Sequence, residues 1–218
     1  MENSQRGFEL LAAGDTEGLR RYLDENPDSA KACDTAGVSL LMDALYHGKR
    51  ELAEMIAAKK MVLDIFEAAS LGRLDQLTAC LRIAAAVNSP SKDGFTALHF
   101  ACYFGQADAV LLLLGSGAAV DSVAANPTRV MPLHSAASAR NVAAARLLLE
   151  HGAPVNARQN GGWAPIHAAA QNGDEAMAEL LLKHGADSEV VNDDGKTPAM
   201  IARQKGHETV AVLMERAA

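Results

Sequence analysis

The feature that most constrains this chain is a period. Residues 93–123 read DGFTALHFACYFGQADAVLLLLGSGAAVDSV: an Asp-Gly turn, a short helix opened by Thr96, a break at Gly105, a second apolar helix and a glycine-rich exit. The pattern returns downstream, with His99, His134 and His167 spaced 35 and 33 residues apart and Met200 a further 33 on. Chains that repeat at this length fold as stacked modules, each burying a face of its neighbour, and not around one central core. The breaks between paired helices carry the phase to both ends: Gly14, Gly48, Gly72, Gly105, Arg140 in a glycine slot, Gly173 and Gly206, in steps of 34, 24, 33, 35, 33 and 33. One all-α domain over 1–218 is expected, in units 1–33, 34–63, 64–92, 93–124, 125–158, 159–191 and 192–218, the outer two acting as caps.

Two units depart from the rule. The short step removes about one loop's worth of residues between Lys59 and Asp64, so one projecting loop is expected to be missing, leaving a notch between the second and third units. In the fifth unit the connection is two residues longer, and Asn126-Pro127 stands where others carry Asp-Gly, so the turn survives in a different type. Arg140 costs about 1 kcal/mol if its slot requires positive φ. At the start, 8–13 and 16–23 read as short amphipathic helices around Gly14-Asp15, with Asp15 or Thr16 as N-cap. At the other end Glu208, Glu215 and Arg216 suit a solvent-facing cap.

Hydrophobic residues make up 49% of the chain but aromatics only 4%, so Ala and Leu must fill the core, as in helices packed closely. A formal charge of −7 without a basic run argues against nucleic acid. Cys33, Cys80 and Cys102 form neither a disulfide framework nor a zinc knuckle and read as buried thiols in a reducing compartment. Residues 1–15 lack a signal-peptide core, and the apolar run 109–114 is far short of the roughly 18 residues of a membrane span. A soluble cytoplasmic monomer, with no membrane association, is the expectation.

The phased segments GFTALHFAC, MPLHSAA, GWAPIHAAAQNG and GKTPAMIA, each followed by LLLxxGA or its degenerate form, resemble the ankyrin repeat family, closely over 93–206 and loosely over 8–92. The resemblance implies a solenoid of antiparallel helix pairs, with β-hairpin loops projecting from one edge and a concave face. Local chemistry agrees: Ser39, Thr96 and Thr197 can cap the first helices, and Pro165 and Pro198 fit a first turn. Paired alanines such as Ala136-Ala137 and Ala169-Ala170 let backbones approach, and the leucine triplets fill the space between successive pairs.

Seven histidines raise the question of a metal. Equivalent slots in neighbouring modules lie roughly 8–10 Å apart, whereas zinc ligands converge within about 2 Å of one ion. Each histidine of the TPLH-like segments is instead expected to bond to backbone or to a capping hydroxyl. Asp193-Asp194 reads as a solvated turn, and no nucleophile elbow, zinc-protease helix or phosphate-cradling loop occurs. No catalytic, metal-ligating or cofactor-binding residue is expected, and no enzyme activity.

What the resemblance implies instead is a partner protein held by positions after each turn glycine and before each inter-helix glycine. Val38, Phe95, Val130, Trp163 and Lys196 form the first class. The second comprises Tyr46-His47, Ser70-Leu71, Tyr103-Phe104, Ser138-Ala139, Gln171-Asn172 and Gln204-Lys205. The expected contact set is Tyr46, His47, Phe95, Tyr103, Phe104, Arg129, Val130, Trp163, Gln171, Asn172 and Lys196, rich in the aromatics that anchor interfaces. The alternative is an enzyme or regulatory subunit with a small-molecule cleft near the notch, using Tyr46-His47.

Overall fold

The computed structural model describes residues 2–82 and 87–217, so part of the expected unit 64–92 lies outside the described residues. Fourteen α-helices are present among them: α1 Glu2–Ala13, α2 Thr16–Glu25, α3 Leu40–Tyr46, α4 Arg50–Lys59, α5 Ile65–Leu71, α6 Leu74–Leu81, α7 Ala97–Tyr103, α8 Ala107–Gly115, α9 Pro132–Ser138, α10 Val142–Glu150, α11 Pro165–Asn172, α12 Glu175–Lys183, α13 Pro198–Gln204 and α14 Glu208–Arg216. They pair consecutively and stack in two rows. The first helices α5, α7, α9, α11 and α13 follow one another along one row, and the second helices α6, α8, α10, α12 and α14 along the other.

Each helix starts and stops where its sequence dictates. Asp15, Ser39 and Thr197 accept hydrogen bonds from backbone N–H groups of the first turns they cap. Pro132, Pro165 and Pro198 occupy first positions, where no amide hydrogen is needed. Between rows the core is built as composition requires: Ala136, Ala137, Ala169 and Ala170 are fully buried and let backbones close up, while Leu113 and Leu148 fill the gaps.

The projecting loops are hairpins too short to form a ladder. Gly94 N–H donates to Ser91 O (3.0 Å) and Ser91 N–H to Phe95 O (2.8 Å); the same pair of bonds recurs at 34–38, 159–163 and 192–196. Only Cys33 and Ser39 make a β-bridge among the described residues. Neighbouring hairpins are tied through backbone, by Ala125 N–H to Gly94 O (2.8 Å), Asn160 N–H to Thr128 O (3.0 Å) and Asp193 N–H to Gly161 O (3.0 Å). That closeness requires glycine at 94, where a Cβ would lie 2.8 Å from the Ala125 carbonyl carbon.

The fifth hairpin replaces glycine with strain. Arg129 (φ 54°) and Arg140 (φ 59°) are the only non-glycine residues at positive φ among those described, and they occupy the two glycine slots of that one module. Arg140 has a partial compensation the sequence did not reveal, its Nε lying 3.7 Å from Asp174 Oδ2.

No hairpin interrupts the connection from α4 to α5, as the short step implies. Here the backbones of α3 and α5 approach less closely than those of α5 and α7, and side chains bridge the seam. Ser39 Oγ and Lys60 Nζ each donate to Glu67 Oε1 at 2.6 Å, and Asp64 N–H donates to Glu67 Oε2 at 3.1 Å. The Lys60 and Glu67 side chains are 8% and 0% exposed, so this is a buried ion pair with its carboxylate fully hydrogen-bonded. Arg73 and Glu54 form a second, exposed ion pair across the same seam.

Candidate functional site

One face of the stack is lined only by hairpins and first helices, and three hollows follow one another along it. At the notch lies a hollow of about 150 Å³, bounded by Val38, Met42, Tyr46, Phe66 and Asp93. It shares Tyr46 and Phe100 with a middle hollow of about 250 Å³ that takes in Phe95, Tyr103 and Val130. The middle hollow in turn shares His134 and Ser138 with a third of about 250 Å³, which holds Trp163, Gln171 and Asn172. Shared walls make the three one furrow.

The notch is narrower than the missing hairpin implies, because the hairpins on either side lean together. A Cβ on Gly37 would lie 3.0 Å from Lys92 Cγ, and the Tyr46 hydroxyl donates to Asp93, which also receives a bond from Ser91 Oγ. Burial and the Asp93 carboxylate both push the Tyr46 hydroxyl pKa up, holding it in the neutral donating form.

Aromatic rings organise the middle hollow around buried Phe100. Its ring contacts Tyr46 (6.4 Å between centroids), Phe66 (5.8 Å) and Phe95 (5.8 Å), the latter two edge to face. Phe95 and Trp163 each lean on the histidine of their own module, His99 at 5.7 Å and His167 at 5.5 Å. Tyr103 projects outward at 52% exposed and Tyr46 at 42%, leaving ring surface free.

The histidines beneath are structural joints. In His99, His134 and His167 the Nδ1 atom accepts the backbone N–H of Thr96 (3.2 Å), Met131 (3.1 Å) and Ala164 (3.0 Å). That bond assigns the neutral tautomer with hydrogen on Nε2. Nε2 reaches forward to a carbonyl at or near the next hairpin: Val130 O (3.1 Å) from His99, Ala157 O (3.1 Å) and Trp163 O (3.2 Å) from His134, and Lys196 O (3.3 Å) from His167. Thr96 Oγ1 lies 2.8 Å from His99 Nδ1, so this hydroxyl serves the ring. Burial lowers the His99 and His134 pKa values to about 4 and that of His167 in the same direction. Among the described residues no three His, Cys, Asp or Glu side chains stand close enough to hold a metal ion. Glu67 fills the same third-helical-residue position in α5, but its carboxylate reaches back across the seam to Ser39 and Lys60 instead of forward to the next hairpin.

A comparison with protein-family models matches this chain to ankyrin repeats (3 copies), over residues 65–159 and 155–218. The chain belongs to the ankyrin repeat family. The helix pairs of 2–59 lie outside the matched range; like most of the later pairs, α1/α2 and α3/α4 are broken at positive-φ glycines, Gly14 and Gly48. A search of curated proteins finds no match. No helix among the described residues is long and apolar enough to cross a membrane.

Against this ankyrin face, the sequence-derived set divides. Tyr46, Phe95, Tyr103 and Val130 meet in the middle hollow, and Trp163, Gln171 and Asn172 in the third. His47, Phe104, Arg129 and Lys196 line none of the three. His47 is exposed at the C-cap of α3, Phe104 meets Tyr103 edge to face at 5.2 Å while partly packed on the core, and Lys196 Nζ donates to Gln204 Oε1 at 2.8 Å. Ser70 and Leu71 are buried, the Ser70 hydroxyl donating to Met42 Sδ at 3.6 Å inside the seam, so they present nothing to a partner. The floor residues His99, His134 and Phe100 were not anticipated as lining. All three are almost wholly buried, and the periodic spacing of the histidines signals the packing role that they keep beneath the furrow.

Proposed function

We propose that this chain is a non-catalytic protein-binding module that grips a partner along the furrow and the hairpin edge. The observation that carries the reading is the continuity of the three hollows, whose lining residues come from five successive modules, with exposed tyrosine rings at the rim. Ankyrin repeats are generally protein-interaction modules, and exposed aromatics at a concave rim are suited to act as anchors. Seven stacked units with the boundaries given above, acting as a monomer in the cytoplasm, complete the proposal. At the last helix pair Arg203 bonds both Glu208 and Glu215, which suits a solvent-facing cap. The free thiols suit a reducing compartment, although the expected burial holds only for Cys102, with Cys80 half-buried and Cys33 exposed.

A small-molecule cleft at the notch has less behind it. Its polar groups are already spent on one another: Tyr46 on Asp93, and Asp64 on the amides of Phe66 and Glu67. Tyr103→Ala and Trp163→Ala, assayed by capture of partners from native cells and by thermal melting, test the proposal. Loss of capture with little change in melting is expected. An equal loss of folding assigns these rings to the core and refutes the anchor role.

A further inference from the structure

This inference rests on the protein-binding reading and names the chemistry of the segment it requires. Charged residues make up 22% of the chain, yet no described residue lining the middle or third hollow is Asp, Glu, Lys or Arg. The two histidines in the floor are neutral at physiological pH, burial holding both near about 4. Charge begins only at the notch, with Asp64, Lys92 and Asp93. An ionised side chain entering the uncharged stretch would lose its water and meet no counter-charge, which selects against it.

The two hollows differ in what they offer. The middle one is walled by the faces and edges of Tyr46, Phe95, Phe100 and Tyr103, suited to an apolar or aromatic side chain. The third carries side-chain amides of Gln159 and Gln171 and the Trp163 indole, none of which makes a side-chain hydrogen bond among the described residues. Unpaired amides complement a backbone whose own N–H and C=O groups are open. A helix satisfies those groups internally, whereas an extended chain leaves them free. Adjacent modules sit roughly 8–10 Å apart, about three residues of extended chain.

We propose that the furrow holds an extended, uncharged peptide segment of a partner protein, with an apolar or aromatic side chain seated between Tyr46, Phe95 and Tyr103. About three residues along, its backbone is paired by Gln159 and Gln171. Ser138 ends α9 with its side chain exposed on the wall common to both hollows, so charges can be inserted there without disturbing the core.

The test is to pan a phage-displayed library of random dodecapeptides on the full chain, then measure the best peptide by calorimetry at low and high salt. The measurement is repeated with Ser138→Asp, Ser138→Lys and Trp163→Ala, each checked for native circular dichroism. Recovered peptides are expected to share an apolar or aromatic anchor among uncharged neighbours. Both serine variants should weaken binding about tenfold or more, and affinity should hold steady across salt, because no ion pair is there to be screened. Enrichment of charged residues, tighter binding by either serine variant, a steep fall with salt, or no enrichment at all overturns the inference. The broader reading survives those results if Tyr103→Ala still abolishes capture of the native partner. Peptides indifferent to all three variants bind elsewhere and count against both.

Discussion

Three histidines make the same pair of bonds, and that pair fixes how stability responds to acid. Each is neutral in the folded chain, with His99 and His134 titrating near about 4, whereas an unfolded histidine titrates at about 6.5. Between those values the unfolded state binds more protons, so stability is expected to be level above about pH 6.5 and to fall as pH drops towards 4, by on the order of 3 kcal/mol for each of these two. Denaturation in urea across that range, with imidazole titrations followed by NMR, checks both parts. Arg140 gives a prediction of opposite sign. Its φ of 59° is strained, and its ion pair with Asp174 leaves the arginine side chain 60% exposed. Arg140→Gly should therefore stabilise by about 1 kcal/mol, the exposed pair being worth less than the relief. The strain at 140 was legible from a glycine slot filled by arginine. That at Arg129 went unread: Val130 in the slot after the turn glycine already puts Arg129 in the glycine's place, but Asn126-Pro127 reads as the replacement for Asp-Gly.

Among the elements, the junction of α3/α4 with α5/α6 stands apart. Its backbones approach less closely, and it depends on one buried carboxylate shared by Lys60, Ser39 and Asp64. Glu67→Gln removes the charge facing buried Lys60 and should cost about 3–5 kcal/mol in urea denaturation. Stacked modules are held mainly by nearest-neighbour interfaces. Native-state hydrogen exchange should therefore show α1 to α4 opening at lower free energy than α7 to α12, and uniform protection along the stack would contradict it. Periodicity placed the helices well but began the first at residue 8, whereas α1 starts at Glu2, since the polar stretch before Phe8 carries no apolar stripe. The missing hairpin was countable as a short step. The leaning of its neighbours was not, because it rests on Tyr46 meeting Asp93 and Gly37 meeting Lys92, pairs far apart in sequence.

At the scale of the whole molecule, stacking turns separate side-chain positions into one surface. The ankyrin resemblance, carried over slot by slot, put Tyr46, Phe95, Tyr103, Val130, Trp163, Gln171 and Asn172 on a common face, because equivalent slots must align when modules repeat. It overreached where a module departs from its neighbours: Ser70 and Leu71 fall in the seam and are buried. Hydrogen exchange of the free chain against its complex with a captured partner bears most directly on the furrow as the gripping surface. Protection is expected to run along α3, α7, α9 and α11 and the hairpins at 91–95, 126–130 and 159–163. Protection confined to the second helices α6, α8 and α10, with the tyrosine-rimmed furrow unchanged, would contradict it.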